Sequence, residues 1–186
     1  ATVTVQRRSR NVLQLVIGGA GSGKSTFAED LASHAPGAKI YIATMRPSDE
    51  ECRRRIARHQ RMRSGKGFDT LERYTDLSGI ASLVPFGASV LLECLSNLTA
   101  NELYDTDGGG TQAVLDGVLA LLPRCSCLTV VTNEVFSGGT EYKGDTLNYI
   151  RSLAALNRAL AVRADRVIEV VCGLPCFLKG GSYGFD

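Results

Sequence analysis

Five short runs rich in Val, Ile and Leu recur along the chain, at 12–17, 39–43, 89–94, 128–132 and 167–171. They are apolar at nearly every position rather than at alternate ones, which predicts strands buried on both faces of a parallel sheet. Between them, the stretches 24–34, 48–63, 97–104, 111–122 and 146–164 carry apolar residues at helical spacing. In the last of these, Ile150, Leu153, Ala154, Leu156 and Leu160 mark one face for burial. Alternating strand and helix predicts an α/β fold, a mostly parallel sheet with helices on both faces. Ligands in such folds bind at the carboxyl ends of the strands. That rule gathers 18–25, 43–45, Glu93 and the pair Asn133-Glu134 on one rim. Gly108-Gly109-Gly110 reads as a loop between helices and 180–186 as a frayed tail. With no linker or repeat, a single domain over 1–186 is expected.

Composition narrows the field without deciding it. The chain has 186 residues, 44% hydrophobic and 22% charged, ordinary for a globular domain with a full core. A net charge of +2 gives no global argument for nucleic acid or a membrane surface. No apolar run is long enough to span a bilayer. The stretch 1–10, with Arg7, Arg8 and Arg10, lacks the apolar segment of a secretory signal and reads as a solvated arm. None of the six cysteines makes a Cys-x-x-Cys pair, so neither zinc nor a disulfide is expected. Cys94, Cys127 and Cys172 lie in or beside apolar runs, where a thiol acts as a small hydrophobe.

The chemistry begins directly after the first strand. Gly18, Gly19, Ala20, Gly21, Ser22, Gly23, Lys24 and Ser25 have the spacing of a phosphate-binding loop. Glycines there admit conformations that turn consecutive N–H groups onto phosphate oxygens. Lys24 sets an ammonium against the outer phosphates, the Ser25 hydroxyl can ligate magnesium, and the following helix adds its positive end. The loop marks a protein that handles a nucleoside triphosphate. Glu93 ends a strand where such proteins hold magnesium, and Glu134 is its rival.

The segment 49–66 is more distinctive. Arg53, Arg54, Arg55, Arg58, Arg61, Arg63 and Lys66 surround His59. On a helix, Arg55, His59 and Arg63 share a face. Such cations would favour the neutral, nucleophilic imidazole and steady charge developing at phosphorus. The plainer alternative is a solvated basic helix with an incidental histidine. His34, the other histidine, reads as the C-terminal cation of the first helix. An ordinary P-loop kinase would leave His59 without a role. A nucleotide switch lacks an Asn-Lys-x-Asp motif, and a nucleic-acid module lacks aromatics among the cations.

From the loop 18–25 through Tyr41-Ile42-Ala43-Thr44, Asp49-Glu50, and Arg55-Ile56-Ala57-Arg58-His59, the chain resembles a known family. It is the bifunctional adenosylcobinamide kinase and adenosylcobinamide-phosphate guanylyltransferase family. Leu91-Leu92-Glu93-Cys94, Val131-Thr132-Asn133-Glu134-Val135 and Asn157 continue the match in order, over about 13–179. The resemblance implies a RecA-like P-loop three-layer sandwich, cytoplasmic and trimeric. It also implies two reactions of late cobalamin assembly, with GTP, ATP and Mg2+. Adenosylcobinamide is phosphorylated by a nucleoside triphosphate, then GMP passes from GTP to that phosphate through a guanylylated histidine. His59 matches that histidine. The loop residues, Ala43, Thr44, Met45, Gln60, Arg61, Met62, Arg63, Glu72 and Glu93 match nucleotide contacts, with Ser25 and Glu93 toward the metal. The chain departs from the family at Phe68, where Trp is usual, and in a longer loop at 61–67. Phe136 stands for a Gly, and Arg151 and Ala154 for an Asp and a Gly. Whether both reactions use one nucleotide pocket, and which triphosphate donates the phosphoryl group, the sequence leaves open.

Overall fold

In the computed structural model, residues 11–137 and 141–181 are described. The arm at 1–10 and most of the expected tail lie outside them, as do Gly138 and Gly139 beyond Phe136. The strands are β1 Val12–Gly18, β2 Lys39–Ala43, β3 Phe68–Glu72, β4 Ala88–Glu93, β5 Cys125–Asn133, β6 Arg166–Val171 and β7 Leu174–Lys179. The helices are α1 Lys24–His34, α2 Glu50–Arg63, α3 Leu95–Tyr104, α4 Gly110–Leu121 and α5 Gly144–Arg163, with 3₁₀ turns at Leu77–Leu83 and Leu122–Arg124. The strands form one sheet in the order β3-β2-β4-β5-β1-β6-β7. Every pairing is parallel except that of β6 with β7. The mostly parallel α/β architecture read from the sequence is present.

The apolar runs are continuous because both faces of the sheet are covered. Alternation along the strands sends Leu13, Leu15, Ile40, Ile42, Val90 and Leu92 into one core, shared with α3, α4 and α5. Val16, Tyr41, Leu91 and Val131 face a smaller core closed by Ala28 and Ala32 of α1. Helix α5 buries Leu153, Leu156 and Leu160 as predicted, with Asn157 beside them, whereas Ile150 and Ala154 are only partly covered.

Helix α2 is built differently. Its N-cap is Asp49, whose carboxylate accepts from the Cys52 N–H at 2.7 Å, so the helix starts at Glu50 rather than at 48. Acidic residues in its first turn and arginines in its last suit the helix dipole. Of its 14 residues only Arg63 is buried. This helix is attached to the body by a few side chains rather than by an apolar stripe.

Two strands were not predicted. β3, Phe-Asp-Thr-Leu-Glu, is a half-exposed edge strand with too few apolar positions to read as a buried run. β7 pairs antiparallel at the other edge and contains Pro175, tolerated there because an edge strand need not donate outward. Gly110 belongs to α4 rather than to the preceding loop. Cys172 is exposed, at a φ of 51° in the β6–β7 turn, not buried as a small hydrophobe.

Candidate active site

The register of the sheet lines up one rim. Ala43 is level with Glu72 on one side and Glu93 on the other, Glu93 with Val131, and Gly18 with Asn133. The phosphate loop joins β1 to α1 along this rim. A side chain at Gly18 would strike the Ser22 hydroxyl and come within 2.8 Å of the Val170 carbonyl. Gly23 holds a φ of 89° at the helix cap, and a Cβ there would sit 3.1 Å from Gly173 Cα. The Gly173 N–H donates to the Ser22 carbonyl at 2.8 Å, so the β6–β7 turn supports the loop from behind. The first N–H groups of α1 have no helical partner and belong to residues that line the groove in front. Lys24 Nζ donates to the Gly19 carbonyl at 3.1 Å. Burial pulls this ammonium below its ordinary range, and Cys94 and Glu93 oppose that shift.

Glu93, 8% exposed at the end of β4, is the hub of the rim. One carboxylate oxygen accepts a short hydrogen bond from the Ser25 hydroxyl, and the other accepts from the Tyr41 hydroxyl at 3.3 Å. His59 Nδ1 lies 3.6 Å from the first of those oxygens, just beyond hydrogen-bond reach. Arg63 lays its guanidinium over the Tyr41 ring, 3.3 Å from the centroid. Burial, and the Glu93 charge after it, raise the Tyr41 phenol far above its usual range, so Tyr41 stays a donor. His59 Nδ1 and Arg63 Nη1 are buried without a hydrogen-bond partner. Nδ1 faces the Glu93 carboxylate, and Arg63 Nη1 belongs to the cation stacked on Tyr41.

Two cavities open on these groups. One is lined by Tyr41, Ala43, Met45, Arg63, Glu72 and Glu93 among others. The second runs as a groove over the phosphate loop, past Arg58 and Met62. They share Lys24, Ser25, Arg55, His59 and Asn133, so the histidine stands at the opening between them. The Ser25 hydroxyl beside the Glu93 carboxylate is a pair of hard oxygen donors, a set that would suit a magnesium ion.

A family profile described as cobinamide kinase / cobinamide phosphate guanyltransferase matches residues 14–178. The chain belongs to this family. The bifunctional adenosylcobalamin biosynthesis protein CobP of Pseudomonas aeruginosa is 36% identical over 171 residues, covering 89% of this chain and 96% of that protein. The protein CobU of Salmonella typhimurium, described in the same words, is 34% identical over 182 residues, covering 89% and 98%. Among solved structures, a type III secretion ATPase is similar at a TM-score of 0.49 and 13% identity, covering 90% of this chain and 57% of its own. At that distance it says nothing about activity or substrate.

In this member of the cobinamide kinase family, most positions singled out by sequence converge. Ser25, Ala43, Met45, His59, Gln60, Arg63, Glu72 and Glu93 line the first cavity. Ala20, Gly21, Ser22, Gly23 and Met62 line the groove, while Gly18 and Gly19 form the loop's rear. Two positions stand apart. Arg61 is exposed and lines neither cavity. Thr44 is fully buried; its hydroxyl donates to the Cys94 carbonyl at 2.8 Å and accepts from the Cys94 N–H at 2.7 Å. It therefore clamps the end of β4 and offers no polar group to a ligand. Glu134 is turned into its own loop, where Phe136 N, Ser137 N and the Ser137 hydroxyl donate to it. His34 bonds the Asp30 carbonyl at the far end of α1.

The charges around His59 also differ from expectation. Arg55 and Arg63 share its cavity, as their four-residue spacing predicts, but a carboxylate stands against the ring as well. Counting only charges on the same helix overlooked the strand end beneath it. Tyr41 was missed as a site residue because it lies inside an apolar run. The signal was there, since a phenol buried in a strand core needs a partner for its hydroxyl.

Proposed function

We propose that the protein catalyses both reactions of its family. In the first, the aminopropanol hydroxyl of adenosylcobinamide attacks the γ-phosphorus of ATP or GTP. The bond to the β-phosphate oxygen breaks, the nucleoside diphosphate leaves, and the hydroxyl proton passes to water. In the second, the Nε2 lone pair of His59 attacks the α-phosphorus of GTP and pyrophosphate departs. A phosphate oxygen of adenosylcobinamide phosphate then attacks that phosphorus. The N–P bond breaks, giving adenosylcobinamide-GDP and the free imidazole.

The observation that carries this reading is the position of His59, at the opening between the two cavities and beside the carboxylate that bonds Ser25. Glu93 favours a proton on Nδ1, which leaves Nε2 unprotonated for attack, and opposes the positive charge that builds on the ring. Lys24 and the N-terminus of α1 hold the polyphosphate, and Arg55 and Arg63 stabilise the departing charge. Mg2+, bound at Ser25 and Glu93, would supply charge neutralisation between phosphates. Cytoplasmic location and a homotrimer are part of the reading by family likeness alone.

The test is incubation with α-³²P GTP and magnesium, then denaturing electrophoresis. The protein should carry a label that is acid-labile and alkali-stable, as a phosphoramidate is. His59→Ala should lose the label and guanylyl transfer yet phosphorylate adenosylcobinamide, while His34→Ala keeps both. Label retained in His59→Ala would overturn the guanylylation step and leave a P-loop kinase.

A further inference from the structure

Away from the chemistry, one ion pair ties together the two helices that carry it. Glu29 lies on α1, the helix that starts at the phosphate loop, and it is completely buried. Neither of its carboxylate oxygens meets a hydrogen-bond partner of good geometry, yet Lys66 Nζ stands 3.1 Å from Oε1. A carboxylate without exposure is retained only against a compensating charge. Lys66 is that charge, and it reaches in from the turn between α2 and β3.

The turn transmits this attachment to α2. The Ser64 N–H donates to the Arg61 carbonyl at 3.2 Å and the Lys66 N–H to the Arg63 carbonyl at 3.0 Å. Lys66 is thereby stitched to the last turn of the helix that holds His59. Gly65 and Gly67, with φ of 82° and 76°, bend the chain on either side of it. The helix has little else to fix its height above the sheet, since only Arg63 among its residues is buried.

We propose that Lys66 is a positioning residue for His59. Its ion pair with Glu29 fixes the C-terminal end of α2 relative to the phosphate loop, and so holds the imidazole at the opening between the cavities. The inference rests on His59 being the guanylylated residue. It makes the pair specific to guanylyl transfer, because phosphorylation of the alcohol uses the loop and not the histidine. Displacement of a reacting group by about 1 Å costs roughly a hundredfold in rate, so a loosened helix should guanylylate roughly ten- to a hundredfold more slowly.

The experiment compares single-turnover labelling by α-³²P GTP with steady-state phosphorylation of adenosylcobinamide. The proteins are wild type, Lys66→Met, Lys66→Arg and the double variant Glu29→Gln/Lys66→Met. Lys66→Met keeps the aliphatic stem but leaves a buried carboxylate unpaired. The double variant removes both charges, so it guards against loss of folding as the cause. Expected are slow labelling in Lys66→Met and in the double variant, near-normal phosphorylation in both, and rescue of labelling by Lys66→Arg. Labelling at the wild-type rate in the double variant would overturn the proposal, as would a parallel fall of both activities in a folded variant. If wild type itself takes no label, the fault lies with the role of His59, not with Lys66.

Discussion

Replacing Glu93 with Gln keeps the side chain's shape and one oxygen for Ser25 or Tyr41, but it removes the charge beside His59. As Nε2 attacks phosphorus, positive charge builds on a ring 3.6 Å from that carboxylate. Unit charges at that separation attract by about 4–5 kcal/mol at an effective dielectric of ~20. The ring is 22% exposed, so water screens part of the field. About 2 kcal/mol should remain, roughly thirtyfold in the rate of guanylylation. Single-turnover reactions with α-labelled GTP at saturating nucleotide, stopped in alkaline detergent to protect the adduct, read that rate directly. Glu134→Gln is the comparison, since among the described residues its carboxylate is held by Phe136 and Ser137 and stands away from the ring, and it should match wild type. A Glu93→Gln rate within about threefold of wild type corresponds to under ~1 kcal/mol and would refute the role given to this charge.

Two further outcomes follow from local geometry. Gly23→Ala forces a side chain into φ 89° and against Gly173 Cα. It should cost about 1–2 kcal/mol and lower the melting temperature by several degrees; an unchanged melting curve and unchanged GTP affinity would contradict the geometry. The hydrogen bond from the Cys52 N–H, and after it one from the Cys52 side chain, hold the Asp49 carboxyl below its ordinary 3.8, so its capping of α2 is fully present above that value. It is lost as pH falls through the depressed one; amide exchange at Cys52, corrected for intrinsic rate, should quicken only in that acidic window.

The sheet was legible where burial on both faces makes a strand apolar throughout. β2 begins and ends where its run does, and β4 is shifted by one residue. Strands that face solvent carry no such signature, which is why Phe68–Glu72 and Leu174–Lys179 went unread. In the site, spacing along one element was reliable: Arg55, His59 and Arg63 do share a cavity. Contacts across elements were not, because Tyr41, Glu93 and His59 are brought together by sheet register and helix docking rather than by proximity in sequence. Thr44 shows the limit of residue-by-residue matching, since it stands between two cavity-lining residues while its hydroxyl is engaged with Cys94.

The turn behind the phosphate loop has a consequence for how the protein comes into being. The loop follows β1, but the Gly173 N–H that supports Ser22 belongs to the β6–β7 hairpin, with four other strands between them in sequence. During translation the glycines, Lys24 and Ser25 emerge long before their rear support exists. A nascent chain stalled short of that hairpin therefore presents a full signature motif without a finished receptor for triphosphate. The rear wall of the loop is thus completed only when the β6–β7 turn docks behind it.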